Sequence, residues 1–300
     1  MSLKIYKRFI SVWIKAIRPK TLSGAAAPVI LACSLSYHLC SHYEGRRFEW
    51  WIAICAMLFA LFMQIVANLA NDYVDFKKGS DREDRIGPER QLSTGKISLI
   101  AMKKAIIIAS VASIAAGLPL AIAGGPWMIL VGLLCLFFAF VYSTHFSYSG
   151  LGDILVILFF GLIPVAVTVY LLTGTWSLSS VTAGFAMGFA TDTLLVVNNV
   201  RDVNEDLISG KKTIVVRLGE KTGRHLYIIC GIIAILFIGF SIYNVKGFPQ
   251  MVLLVPYITL HILTSLQFRK ESLVNLNYFL GKTSRNILLF SIFSSLAFLI

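Results

Sequence analysis

The stretch Trp50-Trp-Ile-Ala-Ile-Cys-Ala-Met-Leu-Phe-Ala-Leu-Phe-Met-Gln-Ile-Val-Ala-Asn-Leu-Ala-Asn-Asp-Tyr-Val-Asp75 decides the fold class. From Trp50 to Ala67 its one strongly polar side chain is Gln64, and the run then breaks into amides and acids at Asn68, Asn71, Asp72 and Asp75. A helix needs about 20 mostly apolar residues to cross bilayer hydrocarbon, so this stretch reads as a membrane span with a polar tip. Steps of three and four put both amides and both carboxylates on one face of that tip.

The rest of the chain repeats the pattern. Of its 300 residues 57% are hydrophobic and 14% charged, against about 45–50% and about 25% in soluble domains, which excludes an ordinary water-soluble globule. Nine spans are expected, near 22–40, 50–75, 99–123, 127–145, 151–173, 178–199, 224–243, 250–266 and 284–300. The fold class is therefore all-α, a polytopic bundle of about nine transmembrane helices in the lipid bilayer. No linker divides it, so residues 1–300 read as one domain.

The net charge of +12 does not indicate nucleic acid, because the basic residues sit at the ends of apolar runs rather than in a patch. Lys and Arg fall six before the first span, eight around the second connection, six between spans six and seven and four between eight and nine, 24 of the 27 in all. Positive residues stay inside, which predicts a cytoplasmic N-terminus and an outside C-terminus. Residues 1–21 place Lys4, Lys7, Arg8, Lys15 and Arg18 apart from Ile5, Phe9, Val12, Trp13 and Ile17, the pattern of an interfacial amphipathic helix. A cleaved signal is disfavoured, since the first long apolar run starts near Leu22 and ends without a small-residue cleavage pattern. Cys33, Cys40, Cys55, Cys135 and Cys230 form no C-x-x-C and read as buried thiols.

A second polar tip, Asn198-Asn199-Val-Arg201-Asp202-Val-Asn204-Glu205-Asp206, closes the sixth span, with Asn198, Asp202 and Asp206 four apart. Asn68, Asp72 and Gly79 match Asn198, Asp202 and Gly210 at offsets of 130 or 131, a hint of internal duplication. Clustered carboxylates repel, and at membrane depth they are costly unless solvated, paired or metal-bound. Asp and Asn oxygens are hard ligands of the kind that hold Mg²⁺ with substrate phosphates, while missing His and thiolate ligands argue against zinc. Lys77, Lys78, Arg82, Arg85, Arg90, Lys211 and Lys212 surround them, cations suited to a diphosphate. The segments 76–98 and 200–223 thus read as two halves of one Mg²⁺-diphosphate cradle on the cytoplasmic side.

Two further features stay open. Asp192 lies inside the sixth span on the stripe 192, 195, 199, 202, 206, where a structural hydrogen bond and a substrate role are both reasonable. The turn from Tyr142 to Asp153 has no Lys or Arg and suits an uncharged part of a substrate, with Tyr142 and Tyr148 reading as interfacial anchors.

Asn71-Asp72-x-x-Asp75 and Asn199-x-Arg201-Asp202-x-x-x-Asp206 resemble the two aspartate-rich motifs of the UbiA superfamily of intramembrane aromatic prenyltransferases. Arg18-Pro-Lys-Thr-Leu22, the run from Asn68 to Gly87, Gly150-Leu-Gly-Asp153 and Gly210-Lys-Lys-Thr213 are similar to the branch of menaquinone synthesis. Asp81 follows Asp75 by six residues, a longer spacing than the commonest superfamily pattern, and the turn from Tyr142 lacks the branch's Gly-Pro element. The resemblance implies that Asp72, Asp75, Asp202 and Asp206 are catalytic and hold Mg²⁺ with the diphosphate of an all-trans polyprenyl donor. Asn68, Asn71, Asn198 and Asn199 would support them, Lys78, Arg85, Arg201 and Lys211 would meet phosphates, and Asp81, Tyr142, Asp153 and Asp192 would complete the substrate site. It further implies 1,4-dihydroxy-2-naphthoate as acceptor, decarboxylative transfer giving demethylmenaquinol, and a bacterial inner membrane with the site facing the cytoplasm. Other acceptors (4-hydroxybenzoate, homogentisate) and, from another class, an ion-coupled transporter are the alternatives.

Overall fold

The computed structural model describes residues 3–42, 47–79, 90–141 and 150–300. The expected site residues Asp81, Arg85 and Tyr142 lie outside them. Among the described residues the chain is helical without a strand.

Helix α1 (Leu3–Ile17) ends where the sequence demands it. Pro19 opens α2 (Pro19–His42) at the position a proline tolerates best, and the residue before a proline is driven out of the α region. Arg18 takes up the break with φ 56, the one non-glycine positive φ among the described residues. Val12, Trp13 and Ala16 of α1 pack on Leu69, Leu92 and Met102 while Phe9, Ile10 and Ile14 stay exposed.

Helices α3 (Trp50–Lys77), α4 (Leu99–Gly124) and α5 (Trp127–Val141) follow. Ser98 caps α4 by accepting from the Ala101 amide at 3.2 Å. The next span is α6 (Gly152–Ile157), a π turn (Leu158–Leu162) and α7 (Ile163–Thr173) in one continuous rod. Helix α8 (Leu178–Arg201) is capped by Ser177 and Ser180 and leads into the short α9 (Val203–Ile208) and α10 (Ile214–Leu218). Helix α11 (Glu220–Lys246), a 3₁₀ turn (Pro249–Leu254) running into α12 (Val255–Lys270), and α13 (Leu276–Leu299) complete the bundle.

Seven of these segments are long and apolar enough to cross a membrane: α2, α3, α4, the α6–α7 rod, α8, α11 and the 3₁₀–α12 segment. The expectation of nine is met by seven on this measure. Helix α5 has 15 described residues, and α13 carries Lys282, Arg285 and four serines, all four buried against neighbours. Ser291 donates to the Ala27 carbonyl of α2 at 2.7 Å, a polar contact of the kind that joins helices where no water competes.

Helix α8 is the central post. It packs against α11, α13, α2 and the α6–α7 rod, and Ala183, Ala186, Met187, Ala190, Val196 and Val197 are fully buried. Gly184 and Gly188, one turn apart, let the rod approach backbone to backbone: a Cβ on Gly188 would fall on the Ile157 carbonyl and one on Gly161 on the Gly188 backbone. Contacts at opposite ends fix the alternation of the helices. Near one end Asn68 of α3 meets Thr21 of α2 and Arg224 of α11 meets the carbonyls of Phe268 and Glu271. At the other, Lys246 of α11 meets His38 of α2 at 3.4 Å.

Candidate active site

The two polar tips lie at the same end of the bundle, and the glycine turns between short helices aim their charges. Asn68 is consumed by the protein: its Nδ2 donates to the Ile17 carbonyl at 2.7 Å and to Thr21 Oγ1 at 2.9 Å, and its Oδ1 accepts from Gln64 at 3.0 Å. It pins the α1–α2 break to α3, which presents Arg18. The Arg18 guanidinium bonds Asp72. Arg90 lies between the two acids of this tip, its Nε 3.8 Å from Asp72 and its Nη1 paired with Asp75.

On the second tip Arg201 donates to both oxygens of Asp202 at 2.6 Å, and to Asn277 Oδ1 of α13 at 3.1 Å. Gly210, with φ 73, ends α9 and folds the chain back, so that the Lys211 amide reaches the Asp206 carbonyl at 2.9 Å and its Nζ the Asp206 carboxylate at 3.1 Å. Burial pushes the Asp206 carboxyl above the usual carboxylate range, with Asp202 adding to the push against Lys211. Burial pulls the Lys211 ammonium down, but Asp206 and then Asp75 outweigh it and the net shift is upward. The pull of Asp75 on Lys211 places the two tips in direct electrostatic range.

One cavity of about 470 Å³ joins them. Asn68, Asn71, Asp75, Asp153, Asn198, Asn199, Arg201, Asp202, Asp206 and Lys211 all line it, together with Arg18, Arg90 and Thr191. Below them its wall is apolar, with Phe59, Phe138, Phe159 and Phe160, and it ends near Val29, Ala56, Leu120, Met128 and Leu171. From Asp75 to Ala56 along α3 is about 28 Å at the rise of a helix, close to the ~30 Å of bilayer hydrocarbon.

Three expectations come out differently. Lys78 is exposed beyond the end of α3 and is not on the wall. Asp72 sits behind the wall, 1% exposed, because Arg18 and Arg90 draw it inward. Asp192, likewise 1% exposed, accepts from Cys230 of α11 at 3.4 Å, and its neighbour Thr191 faces the cavity instead. The helical stripe through 192 is real, but α8 is covered on several sides and the stripe's deep end falls against α11.

The four carboxylates also do not collapse onto one point. Among the described residues no three His, Cys, Asp or Glu side chains converge as a metal-holding group. Each tip carries two acids already countered by Arg or Lys, which relieves the like-charge repulsion expected from their spacing. That donor set still fits Mg²⁺, which takes one or two carboxylates plus substrate phosphates rather than a closed protein cage. Asn71 Oδ1, buried on the wall without a hydrogen-bond partner among the described residues, is a further hard oxygen of the kind such an ion takes.

Arg18 and Thr191 were not singled out by the acidic spacing. The helix break at Pro19 was the legible signal for Arg18; nothing in the sequence marked Thr191. Asp153 Oδ1 and Thr191 Oγ1 are both buried without hydrogen-bond partners among the described residues, on the stretch of wall between the charged cradle and the apolar channel.

The sequence pattern of the UbiA prenyltransferase family matches residues 30–284. The chain is 36% identical over 248 residues to the 1,4-dihydroxy-2-naphthoate octaprenyltransferase of Escherichia coli (strain K12), covering 78% of this chain and 79% of that protein. It is 36% identical over 226 residues to the Mycobacterium tuberculosis (strain ATCC 25618 / H37Rv) protein of the same name, covering 72% of each. The fold is similar to that of a UbiA homolog from Archaeoglobus fulgidus bound to GPP and Mg²⁺, with a TM-score of 0.64 at 16% identity over 96% of this chain and 100% of the other.

Proposed function

The chain belongs to the UbiA prenyltransferase family, and from that premise we propose that it moves a polyprenyl group from an all-trans polyprenyl diphosphate to 1,4-dihydroxy-2-naphthoate, with loss of carbon dioxide, giving demethylmenaquinol. The observation that carries this reading is the single cavity joining a cradle of acids and cations to an apolar channel. A molecule with a diphosphate head and a long hydrocarbon tail matches both ends, and relatives named for octaprenyl transfer to this acceptor match the chain over most of its length.

Arg18, Arg90, Arg201 and Lys211 supply the donors for the diphosphate oxygens, and their fixed charges favour the developing leaving group. Asp75, Asp202 and Asp206, with Asp72 behind them, would hold Mg²⁺, which would supply positive charge to the departing diphosphate. The allylic C–O bond breaks with its electron pair on oxygen. Phe138 and Phe159, with ring centroids 4.5 Å apart, border the channel mouth and present π faces to the resulting allylic cation while the apolar wall excludes water.

Asp153 and Thr191 have buried oxygens in want of a donor, and the acceptor's hydroxyl groups are donors. A hydroxyl bonded to the Asp153 carboxylate gains electron density on the ring. The ring carbon bearing the carboxylate takes the prenyl group, and the carboxylate leaves as carbon dioxide, its bonding pair returning to the ring. No net proton is consumed. The excess of Lys and Arg toward this end of the bundle supports a site facing the cytoplasm from a bacterial inner membrane.

The test is product mass analysis of the purified protein with octaprenyl diphosphate, Mg²⁺ and a panel of aromatic acids. Prenylated, decarboxylated naphthalenediol is expected as the main product. Preference for 4-hydroxybenzoate or homogentisate would refute the acceptor, and absence of any prenylated product would refute the reaction.

A further inference from the structure

Helix α5 is the thin wall of the cavity. None of its residues is fully buried, yet Met128, Val131, Gly132, Cys135, Leu136 and Ala139 are half-buried while Leu130, Leu134 and Phe137 are exposed. Spacings of three and four gather the first set on one face, and all six line the cavity. The helix therefore turns one face to the channel and another to lipid.

In the middle of the channel face sits Gly132. A Cβ built there meets no atom within 4 Å. Other glycines of the bundle behave differently: a Cβ on Gly117 would touch the Phe59 ring at 3.0 Å, and one on Gly124 would run into Leu171 and Met128. Those two are contacts between elements. Gly132 is a gap, at a position where glycine weakens a helix relative to alanine and no neighbour requires it. What its missing side chain provides is room, one turn from Met128 at the end far from the cradle and about two turns from Phe138 nearer to it.

We propose that Gly132 sets how much of the donor's tail the channel admits. The first isoprene units lie between the cradle and the Phe138–Phe159 pair, and later units must pass Gly132 to reach the space beside Met128 and Leu171. A Cβ at 132 displaces no packed atom, so a large side chain there would extend into the passage, excluding long tails and sparing short ones. This specificity role rests on the prenyl-donor reading above.

The experiment gives wild type, Gly132→Leu, Gly132→Phe and Leu134→Phe a mixture of geranyl and octaprenyl diphosphate with one acceptor in nanodiscs, and reads the ratio of the two products. In Gly132→Phe the octaprenyl-to-geranyl ratio should fall about tenfold or more, with a smaller fall in Gly132→Leu. Leu134→Phe, on the lipid face of the same helix, should keep the wild-type ratio. The ratio is internal to each sample, so a lower yield of folded protein does not move it. An unchanged ratio in both Gly132 variants overturns the inference and leaves the proposed reaction standing, as does an equal fall in Leu134→Phe. No product from wild type with either donor overturns the reaction itself.

Discussion

Arg90 joins Asp72 and Asp75 although it is fifteen residues beyond the second of them in the chain. Its side chain is 8% exposed, so its removal strips a shared cation from two buried carboxylates. Breaking a buried pair costs about 3–5 kcal/mol, and Arg90→Gln should lower the unfolding midpoint in detergent as well as turnover. Lys78→Ala, at an exposed position off the wall, should keep turnover within about twofold; an equal loss in both variants would contradict the cradle. Asp153 and Asp192 separate in the same way. Asp153→Asn should raise the acceptor KM with little change for the donor, whereas Asp192→Asn, which faces Cys230, should leave both unchanged. The acids were legible because a carboxylate inside an apolar run has few innocent explanations. Their partners were not, since pairing through space depends on a turn at Gly210 and a break at Arg18 that no spacing rule assigns to a particular acid.

Helix α8 illustrates what patterning can and cannot deliver. Its length and apolar content were plain in the run from Leu178, and its polar end in Asn198 to Asp206. Its central position was not, because an apolar sequence looks alike facing lipid or protein, and only the small residues Ala183, Gly184 and Gly188 separate the two. Those residues predict a packing cost. Gly188→Leu would drive a side chain into the backbone of Ile157 and should be destabilising by several kcal/mol, visible as loss of the folded peak on size exclusion. Gly132→Ala, with open space around its Cβ, should stabilise slightly, by about 0.5–1 kcal/mol. Similarly, α5 reads from sequence as an ordinary apolar span, and its amphipathic division between channel and lipid rests on which face the cavity occupies.

Across the whole bundle, alternation puts the cradle, Lys77, Ser209 and Glu271 at one end and His38, Gly174 and Gly247 at the other. Charge bias is the ground for proposing the first end as the cytoplasmic one. Single cysteines at Ser209 and Gly174 in a variant lacking the five native ones test this: an impermeant maleimide on intact cells should label Gly174→Cys and spare Ser209→Cys. The reverse pattern would turn the enzyme over in the membrane. The number of crossings was harder to read than the class, because α13 mixes serines and two cations with apolar residues, and its hydropathy reflects neighbours rather than lipid.

The glycine seam between α8 and the α6–α7 rod has one more implication. Two helices in backbone contact cannot part by a few ångströms without losing most of what holds them, so that side of the chamber is a hinge-less wall. A greasy product anchored in the channel has to escape sideways through a weaker flank. Helix α5, with no fully enclosed residue among those described, is where the enzyme can afford to breathe.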